Sequence, residues 1–450
     1  MPKTNSFLAD PHAWFVDLKG ALFAKAKPKE LIACSLEADL CDFARVSQSK
    51  LVQGSRVEHL SFSLSTGFGA RRIGSSLTLP TDLRRATTMV LAELDSLRGW
   101  LDSVPEDPFY VDFSEPSESI EQSKVMPVPV ELFFEDFRAV SSDLDVVGLY
   151  ASGPMYSGWA TSRGHLHWMA THRYFFDFSV YAQGDKAVKD FVSGPAWSRA
   201  DYANRIDRSR PSLELLSRPA ISIPKGGVRA LLSAEAVSDL LALSSWGGYS
   251  ARSHLTGESP FESLRKGGKR LSEKVNIFDD LGRFGSPRVQ DQGYLRPSHF
   301  ALIEQGRWVN WYCSPRTGKE YGLDHNLATS AESPSGLVMD AGSMPASQAL
   351  LQLDTGLYVS NVWYLNYSDR QHATVTGMTR FASMWVEGGR LVGPIEPVRF
   401  NDSLLDIFGD KLVDLGDQQE VFESTSTYGH RPRGGVACPS LLAKDLQIVL

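Results

Sequence analysis

Histidines are concentrated in one short stretch, His165-Leu166-His167-Trp168-Met169-Ala170-Thr171-His172. Imidazole is a common ligand of zinc and other transition metals, so this stretch is the best metal-site candidate in the sequence. On a strand, His165 and His167 point to the same face, whereas His172 points to the opposite face. Because Asp, Glu and Cys are absent from the stretch, a solvated or interface-facing strand is the favoured interpretation.

Another histidine lies close to a carboxylate in sequence. His254 and Glu258 are four residues apart, but Gly257 and Pro260 favour a loop over a helix. The sequence contains no G-x-S-x-G nucleophile elbow, and its Ser and His residues are not paired by any known triad spacing. The basic segment 266–270 lacks the G-x-x-x-x-G-K-[ST] spacing of a phosphate loop, and we interpret it as a solvated loop.

Aromatic residues and cysteines have ordinary structural interpretations. Trp308, Trp311 and Tyr312 precede Pro315, and we interpret them as core or dimer interface, with a peptide-binding wall as the alternative. The cysteines are scattered and form no C-x-x-C, which favours reduced structural thiols over a disulfide framework or a zinc knuckle. They are Cys34, Cys41, Cys313 and Cys438.

The bulk composition excludes several classes of protein. The chain has 450 residues, of which 42% are hydrophobic and 22% charged, and its net charge is −7. This acidic balance disfavours duplex nucleic acid as a partner. No apolar run approaches the length of roughly 18 residues that a membrane helix needs. Residues 1–10 have no apolar core of the signal-peptide type, so we expect a cytoplasmic protein.

The first hundred residues predict a helix, antiparallel strands and a second helix. Apolar residues have helical spacing within 11–28, and the polar and apolar residues of 56–64 alternate as in a half-exposed strand. Thr81 or Asp82 is the expected N-cap of a helix that ends near Trp100. The residues expected on its inward face are Met89, Val90, Leu94 and Leu97.

The middle of the chain predicts a linker followed by strands. Pro, Ser and Glu are frequent in 104–130, which favours a loop. A helix is expected at 133–144, and a strand pair turning at Gly153-Pro154. A strand at 165–181 follows, then a basic polar segment at 205–211. A domain boundary near 211–226 divides the chain into residues 1–215 and 216–450.

Strands dominate the C-terminal half. Ser233 is expected to begin a helix that runs to Leu243, and helices are scarce after residue 274. Trp385 to Val392 is apolar on both sides of Gly388-Gly389, which predicts a hairpin. Thr376-Gly377-Met378-Thr379-Arg380 is interpreted as a small polar turn just before it. The predicted fold class is α+β, with a mixed strand and helix N-terminal domain and a strand-rich, curved-sheet, half-barrel-like C-terminal domain.

Several of these segments, in this order, resemble the TldD/PmbA family. The resemblance extends from about residue 30 to the end, and is clearest in the stretch from Gly356 to Asp414. The segments that carry it are Thr161-Ser162-Arg163-Gly164, Asn276-Ile277-Phe278-Asp279-Asp280-Leu281-Gly282, Gly356-Leu357-Tyr358-Val359 and Ala437-Cys438-Pro439-Ser440-Leu441-Leu442. Members of this family are subunits of a zinc metallopeptidase made from two related chains, TldD and TldE (PmbA).

The sequence departs from the TldD-type pattern in two places. TldD-type chains carry H-E-x-x-x-H on a helix of the second domain, in which two His bind zinc and the Glu acts on bound water. The corresponding segment here, 231–249, contains no His. The Gly-rich segment 428–435, where TldD-type chains supply a Cys ligand, contains no Cys. The resemblance therefore implies a TldE-type chain with no catalytic residue and no metal ligand of its own.

The resemblance also implies partners and a role. We expect a TldD-type partner that holds the zinc, and short or unfolded peptides, including leader peptides, as substrates that the pair trims or degrades. The alternatives are a homodimeric binding or scaffold protein and a peptide-tailoring enzyme whose reaction is either metal-independent or dependent on His165 and His167. If peptides bind by strand addition, the predicted substrate-binding residues are Thr376, Gly377, Met378, Thr379 and Arg380, with Arg380 pairing a peptide carboxylate.

Overall fold

The computed structural model describes residues 6–123, 129–182 and 184–450. Within them the chain forms three β-sheets and ten α-helices. The helices are α1 Pro11–Phe23, α2 Leu83–Trp100, α3 Val130–Ser141, α4 Arg199–Leu216, α5 Ala234–Ser244, α6 Ala251–Leu255, α7 Glu262–Arg265, α8 Pro315–Tyr321, α9 Ala349–Leu353 and α10 Leu404–Ile407. Short 3-10 turns occupy Leu101–Ser103 and Ala346–Gln348.

The first sheet contains the N-terminal strands. They are β1 Leu31–Ser47, β2 Lys50–Phe68, β3 Arg71–Thr78, β4 Glu118–Gln122, β5 Asp145–Thr161, β6 Leu166–Tyr181 and β7 Ala187–Gly194. Their order is β3-β2-β1-β5-β6-β4, and β7 also pairs with β6. All pairs are antiparallel except β4 with β6.

Helices α1 and α2 cover one face of this sheet because every second strand residue there is apolar. Phe15 and Leu18 of α1 and Val90 of α2 pack on Leu36 and Phe62. Asp82 accepts a hydrogen bond from the Arg85 N–H (2.8 Å) and so caps α2, as expected. The predicted inward face of α2 is confirmed at Val90, Leu94 and Leu97. It is wrong at Met89, which is exposed.

A second, aromatic core lies under α3 and α4. Phe133 of α3 stacks on Tyr150 at 3.9 Å between ring centroids, and Tyr202 of α4 packs against Phe176. The basic polar segment 205–211 is part of α4, which contains Pro211. Its polar composition hides a helix whose buried side consists of Tyr202, Ile206, Ser209 and Leu216.

The predicted strand pair at Gly153-Pro154 is one continuous strand, β5. Its pairing with β1 is interrupted only at Gly153 and Pro154, whereas its pairing with β6 continues. Proline has no N–H to donate, so it fits where the ladder opens. Gly153 has a φ of 151°, and a Cβ there would lie 1.9 Å from the Leu40 oxygen. Glycine is therefore required by the close approach of β1.

The other two sheets use the strands that follow residue 225. These are β8 Gly226–Leu232, β9 Ile277–Asp280, β10 His299–Glu304, β11 Arg307–Trp308, β12 Gly336–Met339, β13 Gly356–Val359, β14 Asn361–Asp369, β15 Thr374–Arg380, β16 Met384–Glu387, β17 Arg390–Pro394, β18 Arg399–Ser403, β19 Leu412–Leu415, β20 Glu420–Glu423, β21 Gly435–Cys438 and β22 Leu441–Ile448. The second sheet has the order β11-β10-β9-β12-β21-β20. The third has the order β14-β15-β18-β22-β8-β13-β16-β17, with β19 paired to β22.

Helix α5 contacts both C-terminal sheets. It contacts β20 and β21 of the second sheet and β8 and β14 of the third. Its buried residues join one core with residues of both sheets, such as Leu337 of β12 and Val359 of β13. The expected strand dominance of this half and the α+β class with large curved sheets are confirmed.

Two expectations for the region before β17 have different outcomes. The hairpin at Gly388-Gly389 is confirmed as β16 and β17, with Glu387 opposite Arg390. The turn expected at 376–380 is wrong, because these residues belong to β15. This strand is paired on both sides, with β14 and with β18. Its alternation of small and apolar residues suits a central strand.

The expected linker at 104–130 is partly wrong, because it contains the strand β4. Residues 124–128 of that linker lie outside the described residues. So do residues 1–5 of the N-terminal segment that is expected to have no signal-peptide core. The division at residue 215 stays a prediction. None of the described helices has both the length and the apolar character needed to cross a membrane.

Candidate functional site

Helix α5 presents two different faces because of its sequence. Ser233 accepts a hydrogen bond from the Ala236 N–H (3.1 Å) and caps the helix where β8 ends. Val237, Leu240 and Leu241 are buried in the core. The opposite side carries small and polar residues and borders a cavity of about 670 Å³. The α5 residues that line this cavity are Ser238, Asp239, Ala242 and Ser245.

The C-terminal segments complete the cavity, which we call the α5 cavity. Its other walls come from residues 422–426 and 432–436 and from Pro334, Ser335 and Leu337. Ser335 is positioned by Asp279, the buried carboxylate at the end of β9. Asp279 accepts hydrogen bonds from the N–H groups of Ser335 (3.2 Å) and Gly336 (2.6 Å) and from the Tyr312 hydroxyl (2.8 Å). Asp279 therefore holds in place the wall that contains Ser335.

The residues around the α5 cavity do not suit zinc. The helix offers the carboxylates of Glu235 and Asp239 but no imidazole. Cys438 is fully buried, and its thiol lies 3.2 Å from the Ala234 carbonyl oxygen. Within residues 6–123, 129–182 and 184–450, no three His, Cys, Asp or Glu side chains are grouped closely enough to hold a metal ion.

One carboxyl group in the α5 cavity has unusual acid–base behaviour. Burial, reinforced by the nearby Glu235 carboxylate, raises the pKa of Asp239 to about 7. Glu235 in turn forms an ion pair with Lys189 (3.2 Å), which also contacts Asp177 (2.7 Å). Burial alone lowers the pKa of Lys189, but the two carboxylates outweigh it and raise that pKa. The ammonium is therefore held charged between the first sheet and α5.

Residues 422–436, which contribute to the walls of the α5 cavity, are called the cavity segment. A buried ion pair attaches this segment to the first sheet. Arg431 donates to Asp39 from its backbone N–H (2.9 Å) and from its guanidinium (2.6 Å at the shortest). The same guanidinium donates to the carbonyl oxygens of Arg173 (2.8 Å) and Gly153 (3.1 Å). It therefore occupies the place where the ladder between β1 and β5 opens. Arg433 forms a second ion pair, with Glu37.

The three histidines considered as a metal-site candidate are buried within this chain, so the expectation of a solvated strand face is wrong, whereas an interface-facing strand stays a prediction. His165 hydrogen bonds to the Thr161 (2.7 Å) and Ser114 (3.2 Å) hydroxyls. His167 hydrogen bonds to the hydroxyls of Ser117 (3.1 Å) and Ser119 (2.8 Å). His172 faces the Pro195 carbonyl oxygen (2.8 Å) from the opposite face of β6. The imidazoles therefore tie neighbouring segments to β6.

The other histidine candidate also forms a structural contact. His254 lies in the short helix α6, not in a loop, and its Nδ1 is 2.8 Å from Glu262 rather than from Glu258. Its Nε2 faces the Gly248 carbonyl oxygen at 3.0 Å. Tyr312 packs in the core, as expected. The four cysteines are free and buried, which confirms the thiol prediction.

The predicted peptide-binding residues lie together on β15, and none of them is among the residues that line the α5 cavity. Their backbone groups from Thr376 to Met378 pair with β14 and β18, so strand addition at this position has no free edge. The Arg380 guanidinium stacks at 3.6 Å on the Trp363 ring of the edge strand β14. Residues 376–380 therefore offer side chains rather than free backbone groups to a ligand. Their role in peptide binding stays a prediction.

Sequence reasoning missed Asp239, Arg431 and Arg433. The partners of the two arginines are remote in sequence, since Asp39 lies 392 residues from Arg431. The pKa shift of Asp239 comes mainly from its burial. The only local signal was the Gly434-Gly435 pair that follows the two arginines. A run of basic residues is ordinarily solvated, so burial of these side chains is a tertiary property.

The fold and the cavity define a class: an α+β protein in which one helix, set between two sheets, borders a cleft closed by a C-terminal Gly-rich segment. Residues 225–450, half of the chain, match the family described as "PmbA/TldA metallopeptidase C-terminal domain". The chain belongs to this PmbA/TldD family. No curated protein sequence matches it.

Solved structures share the fold over nearly the whole chain. TldE from Thermococcus kodakarensis superposes with a TM-score of 0.79 at 13% identity, covering 97% of this chain and 100% of that chain. A putative modulator of a DNA gyrase from Thermotoga maritima gives 0.73 at 14% identity, with the same coverage. Another from Bacteroides thetaiotaomicron gives 0.72 at 13% identity and covers 97% of both chains.

Proposed function

We propose that this chain is the subunit without its own metal in a two-chain zinc metallopeptidase. The proposed partner is a TldD-type chain that carries the zinc, and the proposed substrates are short or unfolded peptides, including leader peptides. Family membership and the TldE-like fold support this choice. The observation that carries it is the cavity face of α5, where Ser238, Asp239 and Ala242 stand instead of zinc ligands.

In this proposal the α5 cavity supplies one wall of the peptide-binding space. Its hydroxyl groups, from Ser238 and Ser245 on α5 and from residues 424–426, can hydrogen bond an extended backbone without selecting a sequence. The ion pairs of Arg431 and Arg433 hold that wall against the first sheet. We propose that the pair acts in the cytoplasm.

The experiment is co-expression of this chain with a TldD-type chain from the same genome, followed by size-exclusion chromatography and metal analysis. One zinc per heterodimer, with none on this chain alone, is the expected result. Zinc bound by the isolated chain would contradict the proposal and return attention to His165 and His167. Stable self-association without any TldD-type partner would instead favour the homodimeric scaffold.

A matched pair of variants tests the role of the cavity. Ala242→Phe places a large ring on the cavity face of α5 without touching its buried stripe. We expect it to leave pairing and zinc content unchanged and to slow peptide cleavage at least tenfold. Ala200→Phe makes the same change at an exposed position of α4 and serves as control. Equal cleavage rates for both variants would rule out the α5 cavity as a substrate wall.

A further inference from the structure

The accessible residues in the second half of α5 all border the α5 cavity. From Ser238 to Ser245, the residues that are not buried are Asp239, Ala242 and Ser245, and each of them lines the cavity. The sheets enclose the rest of this stretch of helix. The exposed part of Asp239 therefore lies at the cavity wall, where a ligand can reach it.

The Asp239 carboxylate has no partner in the described part of the chain. It forms no hydrogen bond and no ion pair there. The charges that act on it are those of Glu235 and Lys189, which already pair with each other at 3.2 Å. A partly buried carboxylate without a partner is costly to ionise, so a cation that enters the cavity gains a site where it neutralises this charge.

The remaining charges of the cavity lining are neutralised within the chain. The charged residues of the lining are Asp239, Glu423 and Arg433. Glu423 forms an ion pair with Arg173, and Arg433 forms one with Glu37. Among these three residues Asp239 is the one whose charge is left unpaired, and the cavity therefore suits a cation rather than an anion.

The hydroxyl groups on the cavity side of α5 are acceptors as well. Ser238 donates its hydroxyl proton to the Glu235 carbonyl oxygen (2.8 Å), and Ser245 donates to the Ala242 carbonyl oxygen (2.6 Å). A hydroxyl group has one proton to donate and two lone pairs, so these two oxygens can only accept from a ligand. This side of α5 thus presents a carboxylate and two acceptors, which suits a ligand with several N–H donors.

We propose that the α5 cavity binds an ammonium group of a short peptide, with the Asp239 carboxylate as its partner. The choice of a peptide rests on the proposed function, but the binding needs this chain alone. Asp239 and Ser245 are six residues apart on the helix, a rise of about 9 Å, which is the length of about three residues of extended peptide. The ammonium is either a free N-terminus or a lysine side chain, and the experiment separates these sources.

The test is calorimetric titration of the isolated full-length chain at about pH 7.5, above the Asp239 pKa of about 7. The probes are trialanine amide with a free N-terminus, its N-acetylated form, and N-acetyl-Ala-Lys-Ala amide. We expect the uncharged acetylated trialanine amide to bind with a Kd about tenfold or more above that of the better ammonium probe, because a charge-assisted hydrogen bond is lost. The better ammonium probe identifies the source. Equal affinity for all three probes, or no binding of any, would overturn the proposal.

Asp239→Asn locates the charge. It keeps the size of the side chain and leaves no buried charge unpaired, so the fold is retained. We expect the Kd of the better ammonium probe to rise to that of the uncharged probe, whose own Kd stays unchanged. Asp17→Asn makes the same change at an exposed position of α1 and should leave every Kd unchanged. Discrimination between charged and uncharged probes that survives in Asp239→Asn would place the ammonium elsewhere and overturn the assignment.

Ala242→Phe locates the cavity, because its ring occupies space beside Asp239 on the same side of α5. It should weaken binding of the better ammonium probe, whereas Ala200→Phe should not, and equal Kd values for these two variants would also refute the site. These measurements need neither a TldD-type partner nor zinc. A chain that forms the zinc heterodimer but shows no preference for ammonium probes would refute this inference alone. A chain that prefers them but finds no TldD-type partner would refute the proposed function instead.

Discussion

Replacing Arg431 with Ala should destabilise the protein far more than removing an exposed ion pair. The Arg431 and Asp39 side chains are each 4% exposed, and the described chain gives Asp39 no other charged partner. The substitution leaves a buried carboxylate with a single backbone donor and takes donors from the Arg173 and Gly153 carbonyl oxygens. Removing one partner of a buried pair costs about 3–5 kcal/mol, and we expect a loss of about 4 kcal/mol in unfolding free energy.

The assay is urea denaturation followed by tryptophan fluorescence, with limited proteolysis of residues 424–434 as a local readout. The matched control is Arg210→Ala, which removes an Arg–Asp143 pair whose side chains are 41% and 60% exposed. An exposed pair contributes up to about 1 kcal/mol. The double variant Asp39→Leu with Arg431→Met should recover about 2 kcal/mol, since no charge is then left unpaired. Equal effects of Arg431→Ala and Arg210→Ala, with unchanged proteolysis, would refute this account of how the cavity segment is anchored.

Three further substitutions test separate features. Asp239→Asn should remove a pH dependence of stability. The raised pKa of Asp239 means that the wild-type protein loses stability as pH rises from about 4 to about 7, so above pH 7 the variant should be more stable by up to roughly 4 kcal/mol. Denaturation across this pH range measures the difference, and a difference that does not change with pH would contradict the reasoning. Gly153→Ala should lower unfolding free energy by at least about 2 kcal/mol because its Cβ meets a backbone oxygen of β1, whereas Gly20→Ala in α1, where the Cβ meets nothing, should raise it by roughly 0.5–1 kcal/mol. Arg380→Ala should slow peptide cleavage by the assembled pair, and an unchanged rate would count against Arg380 as a substrate residue.

Elements whose signal is local were predictable from the sequence. The cap at Asp82, the apolar stripe of α5 and the Gly388-Gly389 hairpin each depend on residues within a few positions of one another. Predictions were wrong where the local composition favoured one structure and contacts with distant parts of the chain produced another. Gly153-Pro154 is typical of a turn, but β1 and Arg431 hold it extended within a sheet.

The residues that make up the candidate sites are brought together by the fold rather than by sequence motifs. The absence of histidine from α5 was evident in the sequence, because it concerns residue type alone. Which side of α5 borders the cavity could not be predicted from the sequence, because the strands that enclose this helix come from segments as distant as β8 and β21.

The sequence by itself determined the α+β class, the family and the lack of a zinc-binding motif, because composition, periodicity and segment order are local properties of the chain. Only the tertiary structure decided that Asp239 titrates near pH 7, that three histidines are buried among hydroxyl groups, and that two arginines attach the C-terminal segment to the first sheet. Those properties arise from burial and from contacts between residues up to nearly four hundred positions apart, and no local pattern encodes either.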